Sequence, residues 1–477
     1  MKYLFNTLYE YTNKNRIAFH MPGHKLGNLC SFSNIHKMDI TEIDGFDNLH
    51  NPKNIIKNSQ IRASKLFNSD ETYFIVNGST TGNISAILSI CKDGDKIAIA
   101  RNSHKSVFSG IILSGADSYY IKPKIIDEIN MLGQITPKSI ENILKKNNNI
   151  KAVFITSPTY EGFTANIKKI STITHKYNAL LIVDEAHGAH FNFNDYFPES
   201  AINCGADIVI QSIHKTLPSL TQTALLHIKY NNINNEYIEK IKSSLSILQT
   251  SSPSYILMAS IDNCCEFLEK KSGKYFEKYI KNLEKYRKKF KKFKNLKLID
   301  NKKYNKKFGI YDFDKSKFIF FINSSIMTTK DINNILINKY NIQIEYFNEN
   351  HIIIMTSIAN TNIEFKKLHE ALYEIDNIID FKGYKNSSTN NLNLDTIKLI
   401  SIRKAYFSEK KEIKINKSLN NICGDFIIPY PPGIPILCPG EKITYKSLNY
   451  INKLLKNNIN IIGITNNKIK VLKNKEV

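Results

Sequence analysis

Between residues 70 and 230 short apolar runs recur along the chain, with segments of helix-like spacing between them. TYFIV (72–76), KIAIA (96–100), SYYI (118–121), AVFIT (152–156), ALLIV (179–183), DIVIQ (207–211) and TALLHI (223–228) each have strand length. Strands that alternate with helices predict βαβ units and a parallel or mixed sheet. In such a sheet, function collects at the carboxyl ends of the strands. From about 230 to 300 the pattern turns helical and basic, and from about 315 to 380 KFIFFIN, QIEYF and HIIIMTSI alternate with helices, which predicts a smaller α/β unit. The polar stretch KGYKNSSTNNLNLD (382–395) reads as a linker, and a further unit containing YPPGIPILCPGE (430–441) follows it. No internal repeat recurs at a fixed period.

Composition narrows the class. At 477 residues and 42% hydrophobic the chain has material for two to four domains. No run approaches the roughly 18 apolar residues that cross a bilayer, and the start MKYLFNTLYEYTNKNR turns polar early, so neither a span nor a signal peptide is expected. A cytoplasmic protein is expected. Seven scattered cysteines with no C-x-x-C pair argue for free thiols, against a disulfide framework or a zinc site. The net charge of +23 raises the question of nucleic acid or an anionic membrane. Its lysines are dispersed among Asn and Ile rather than clustered with arginine and stacking aromatics, so neither partner is expected.

Four strand ends carry unusual residues. NGSTTGN (77–83) follows the first run and opens a helix, a glycine-hydroxyl loop whose free N–H groups and dipole suit a phosphate. It lacks the G-K-[ST] ending of a P-loop. RNSHKSV (101–107) offers His104, DEAHGAH (184–190) offers Asp184, and SIHKTLPSLTQ (212–222) offers His214 and Lys215. A carboxylate where a buried sheet ends needs a cation or donors around it. His187 and His190 are three apart and could ligate a metal, but no third ligand stands near, so no metal is expected. One ligand uses a phosphate cradle, a histidine, an aspartate and a lysine together: pyridoxal 5′-phosphate, an aldehyde that joins lysine and works best with its ring nitrogen protonated.

These blocks also resemble a family. With HMPGHKLG (20–27), DITEIDGFDNLHNP (39–52), SPTYEG (157–162), LQTSSPSYILMAS (248–260) and YPPGIPILCPGE, they run in the order found in the Orn/Lys/Arg decarboxylases, short form. The resemblance implies an α/β, aspartate-aminotransferase-like (fold type I) enzyme with a mainly parallel seven-stranded large-domain sheet, a smaller α/β domain and a C-terminal domain. It divides the chain into an arm (1–35), a large cofactor-binding domain (36–300), a small domain (301–381), the linker (382–395) and a C-terminal domain (396–477). It implies decarboxylation of a basic amino acid in polyamine metabolism. Lys215 then carries the cofactor, Asp184 faces the ring nitrogen, His104 and Ala186 cover the two ring faces, and His187 reaches the ring hydroxyl. Ser79, Thr80, Thr81, Ser212 and His214 bind phosphate, and His214 or Lys215 returns a proton to the α-carbon. The resemblance further implies a homodimer, or a multiple of one, with shared active sites to which PGHK and TSSPS contribute.

One departure bears on substrate choice. Where the family often reads GRISAE, this chain has NNICGD (420–425), with Asn421 for arginine and Asp425 for glutamate. Acids in the matching blocks are Glu42, Asp44, Asp47, Asp425 and Glu441, and Asp425, followed by Glu42 and Asp44, is the expected substrate-facing group. The shorter aspartate leaves room for a long side chain, which favours arginine or lysine over ornithine. An aminotransferase on the same fold is the main rival. Many of those clamp the α-carboxylate with a small-domain arginine, and beyond residue 288 the only arginine is Arg403, which the resemblance assigns to a shared C-terminal motif. A non-catalytic, basic nucleic-acid-binding protein would leave the lysine-centred constellation unexplained.

Overall fold

The computed structural model describes residues 13–14, 16–29, 35–299, 304, 306–324, 326–382, 396–430, 433–456 and 459–473. The expected linker, apart from Lys382, lies outside them.

All seven apolar runs form strands, each bounded within two residues of its expected limits. They are β1 (Glu71–Ile75), β2 (Lys96–Ala100), β3 (Asp117–Ile121), β4 (Ile150–Thr156), β5 (Leu180–Asp184), β6 (Ile208–Gln211) and β7 (Ala224–Ile228). They share one sheet in the order β1-β7-β6-β5-β4-β2-β3. Strand β7 is antiparallel to β1 and β6, and the other pairings are parallel. The runs lack polar alternation because both faces are covered: Leu180 and Ile182 pack into one core, Leu181 and Val183 into another. Helices α1 (Gly78–Ile90) and α2 (Lys105–Ser114) supply Ala86, Ile87 and Phe108 to the first of these cores.

Helix α3 (Tyr255–Phe290) has 36 residues and spans about 54 Å at 1.5 Å per residue. Ser254 caps it by accepting from the Leu257 N–H. Its far end packs Phe290 on Phe318 and Phe320 of a second sheet. That sheet comprises β8 (Lys297–Leu298), β9 (Lys317–Phe321), β10 (Tyr346–Phe347) and β11 (His351–Met355), antiparallel throughout in the order β8-β9-β11-β10. QIEYF, expected as one strand, is divided at Glu345. Ile342–Ile344 pairs in parallel with Ile17–Phe19, while Tyr346–Phe347 stays in the sheet. The break turns the Glu345 side chain toward the first sheet, where its carboxylate accepts from Tyr160 Oη at 2.6 Å and from the Met21 N–H at 2.8 Å.

The last unit pairs Lys410–Lys414 with Lys468–Leu472 and carries a helix over Tyr445–Lys456. It docks against the first sheet through Ile402, Phe426, Ile428 and Cys438, which join one of that sheet's cores, and through a buried arginine. Arg101 leaves β2 and donates from Nη1 to the Pro435 carbonyl (2.6 Å) and from Nη2 to the Ile436 carbonyl and Glu441 Oε2 (both 3.0 Å). Neither Arg101 nor Glu441 has any exposed side-chain surface. Glu441 is therefore a structural counterion, not the substrate-facing acid the sequence offered. No helix among the described residues is long and apolar enough to cross a membrane.

Candidate active site

A cavity of about 250 Å³ opens at the carboxyl edge of the seven-stranded sheet. Five of the strands deliver side chains to it, because parallel neighbours end at the same edge.

After β1 the chain turns at Gly78, whose φ of +76° is left-handed backbone that glycine adopts without strain, and enters α1. Ser79 Oγ lies 2.6 Å from Ser212 Oγ, so hydroxyls from two strand ends meet. Thr80 is exposed and lines the cavity. Thr81 does not: its hydroxyl donates to the Asn77 carbonyl at 3.2 Å and its side chain is buried away from the opening. A residue two positions after Ser79 is about 200° around a helix from it, so the two cannot share a face.

Asp184, at the end of β5, is 3% exposed. Its Oδ1 accepts from the Ala186 N–H at 3.0 Å and its Oδ2 from Asn83 Nδ2 at 2.9 Å. Asn83 lies one helical turn after Ser79 and so faces the same side, a relation readable from NGSTTGN but not used in the sequence reading. His104, after β2, accepts at Nδ1 from the Ser106 N–H (3.2 Å). Burial, and then the nearby Lys215, push the His104 pKa down to about 4, so the ring is neutral at neutral pH.

Lys215 sits in a short helix after β6 (Ile213–Thr216), with Nζ 3.2 Å from His187 Nε2. Burial lowers the Lys215 pKa, while Asp184 and Glu345 oppose the fall. His187 is held well below its ordinary range by burial and by Lys215, and its Nδ1 is buried without a partner. Tyr160, after β4, meets the His187 ring edge-on, with centroids 5.3 Å apart at 81°. His214 donates from Nδ1 to the Thr223 carbonyl (2.8 Å), and burial pushes its pKa down to about 4. His190 faces the other way and pairs with Asp314 at 3.1 Å, so the two histidines of DEAHGAH do not converge.

Ser79, Thr80, His104, Asp184, Ala186, His187, Ser212, His214 and Lys215 thus gather in one place. The expected substrate acids do not. Asp425 accepts from its neighbour Phe426 N–H and pairs with Lys470 at 3.6 Å, and neither it, Glu42 nor Asp44 lines the cavity. Asp47 caps the following turn by accepting from the Lys53 and Asn54 N–H groups. Lys25 of PGHK is buried in its own chain, donating to the His20 (2.6 Å) and Met355 (3.0 Å) carbonyls. Tyr160, Glu161 and Tyr430, which also line the cavity, were not singled out from sequence.

Comparison with known proteins places these residues in context. The family model described as Orn/Lys/Arg decarboxylase, major domain, matches residues 3–413, and that of the C-terminal domain matches residues 400–467. The chain is 32% identical over 473 residues to an arginine decarboxylase of Bacillus anthracis, covering 96% of this chain and 94% of that protein. It is 31% identical over 469 residues to an arginine decarboxylase of Bacillus subtilis, with 96% and 95% covered. Among solved structures, the Francisella novicida lysine decarboxylase superposes with a TM-score of 0.79 at 21% identity, over 98% of this chain and 80% of that one.

Proposed function

The chain belongs to the Orn/Lys/Arg decarboxylase family, a carboxy-lyase of the aspartate-aminotransferase-like fold, and from this premise we propose that it converts arginine to its amine and carbon dioxide using pyridoxal 5′-phosphate held at Lys215. The observation that carries the reading is the meeting of Lys215, Asp184 and the Ser79–Ser212 pair in one cavity at the strand ends.

The residues present fit the cofactor. The N-terminus of α1 with Ser79, Thr80 and Ser212 offers donors for a phosphate, whereas His214, expected among them, has its one N–H on the Thr223 carbonyl. Asp184, oriented by Asn83 and Ala186, offers a carboxylate to a protonated ring nitrogen, and the unpartnered Nδ1 of His187 is a polar atom left over by the protein's own bonding. When bound, pyridoxal phosphate supplies a sink for the electrons of the bond to the departing carboxylate. The chain's own groups do the rest. Asp184 would hold the proton on the ring nitrogen, and His104 and Ala186, which line the same cavity, would cover the ring faces. The Lys215 amine, its pKa lowered by burial, is both the attachment point and a base able to give and take a proton. His214 commits its Nδ1–H to Thr223 and is neutral at neutral pH, so it carries no second proton to donate; this favours Lys215 as the group that protonates the α-carbon.

Arginine is favoured over lysine because four relatives similar along nearly their whole length are named arginine decarboxylases. The proposed setting is a cytoplasmic homodimer serving polyamine metabolism. The test is carbon dioxide release from arginine, lysine and ornithine. Arginine is expected to give the highest kcat/KM, and turnover confined to an anionic or apolar amino acid would overturn the proposal.

A further inference from the structure

The cavity contains one carboxylate that the reading above leaves without a task. Among the described residues lining it, the carboxylates are Asp184 and Glu161, and the one ammonium is Lys215. Both Asp184 oxygens are engaged, one by Asn83 and one by the Ala186 N–H. The acids expected from sequence lie elsewhere. Glu161 is half-buried on the loop that follows β4, two residues after Thr159 and next to Tyr160, whose ring abuts His187.

Its hydrogen-bond partners are neutral, its own N–H and the Thr159 hydroxyl, and no ion pair engages it among the described residues. Lys317, a buried ammonium at the start of β9, donates to the Tyr160 carbonyl at 2.7 Å and the Thr159 carbonyl at 3.4 Å, so it fastens the loop rather than capturing the carboxylate. Burial raises the Glu161 pKa, opposed by hydrogen bonds from its own N–H and the Thr159 hydroxyl and, most weakly, by the attraction of Lys317. A charged carboxylate in such a place gains from any cation that arrives, and a cation carried into the cavity needs an acceptor to offset its desolvation. Resting on the proposed decarboxylation of a basic amino acid, we propose that Glu161 is the specificity residue that receives the distal cationic group of the substrate, the guanidinium of arginine.

The experiment compares arginine with citrulline, its neutral ureido isostere, in the holoenzyme and in Glu161→Gln and Glu161→Asp. The readouts are KM and kcat for arginine, the inhibition constant of citrulline, and the visible absorption band of the lysine-bound cofactor. In Glu161→Gln the band stays, kcat changes little, and the arginine KM rises at least tenfold while citrulline binding is unchanged, the signature of lost ground-state binding. Glu161→Asp, which keeps the charge, retains most of the preference for arginine. Equal weakening of arginine and citrulline, an unchanged arginine KM, or loss of the cofactor band in Glu161→Gln would each overturn the proposal. A wild-type protein that shows the band yet decarboxylates none of the three basic amino acids would instead overturn the proposed function itself.

Discussion

Arg101, fully buried, and Lys215, half-buried, are both basic groups at the carboxyl edge of one sheet, and desolvation has opposite outcomes for them. Burial works to lower the pKa of each. At Arg101 burial is the largest single influence, but Glu441, Cys438 and Tyr120 together outweigh it and hold the pKa up, and the planar guanidinium also meets two carbonyls and the rings of Phe108 and Tyr120 at 5.5 Å. At Lys215 burial prevails: the neighbour in contact is a neutral histidine, and Asp184 and Glu345 act only from a distance. The seam between the sheet and the C-terminal unit is thus matched within the chain, while the cavity keeps groups whose partners must come from outside. A charge that the fold answers serves the fold, and one that it leaves partly unanswered is available for chemistry.

Lys215→Ala tests the open side of this contrast and carries the largest expected effect. Turnover should fall at least about 10³-fold with little change in thermal stability. Near-normal turnover would place the reactive amine elsewhere. On the matched side, Arg101→Met leaves the Glu441 charge buried with only the Cys438 N–H as partner, and should lower unfolding free energy by about 3–5 kcal/mol. Adding Glu441→Leu should restore much of that loss; a single variant as stable as wild type would remove the distinction between seam and cavity.

Asp184→Asn should still fold and still bind cofactor, because the phosphate donors are untouched. An opposite charge at contact shifts a pKa by roughly 1–3 units, so kcat should fall by up to about 4 kcal/mol of activation free energy. Unchanged kcat would show that the charge at this position does not govern the reaction.

A third buried site sharpens the comparison through pH. His227 joins Thr72 and Gln211, and Gln211 in turn donates to Glu185 at 2.6 Å. Burial pushes the His227 pKa down to about 3, so the folded protein resists protonating it while the unfolded chain protonates near 6.5. Its contribution is complete above 6.5 and is lost as pH falls toward 3. Glu185, raised by burial to about 7, has the opposite slope between 4.5 and 7, and that slope is common to both proteins in a paired measurement. Between pH 7 and pH 5, urea unfolding of wild type should lose about 2 kcal/mol more than that of His227→Gln. Parallel pH profiles would contradict this.

The smallest effect belongs to Asp425→Asn. Its pairing with half-exposed Lys470 at 3.6 Å predicts a stability change within about 0.5 kcal/mol and no change in arginine KM. A raised KM would return Asp425 to the site.

The seven strands were legible because each is an unbroken apolar run long enough for one crossing of a doubly covered sheet. The residues at their ends were legible because the parallel topology delivers strand ends to one edge. QIEYF was misread because Glu345 is set by pairing with a distant segment, Ile17–Phe19, which periodicity does not register. Asp425 was misplaced for a related reason: nearness in sequence to the YPPGIP loop does not fix where a side chain points. Glu161 lay in a quoted block, and only the packing of its loop across the cavity distinguishes it from other surface acids.

The most direct test of the account is to reduce the holoenzyme with borohydride, digest it, and locate the cofactor adduct by mass spectrometry. The account predicts the adduct on the peptide containing Lys215 and its absence in Lys215→Ala. An adduct on another of the many lysines, or none in a fully active enzyme, would contradict it.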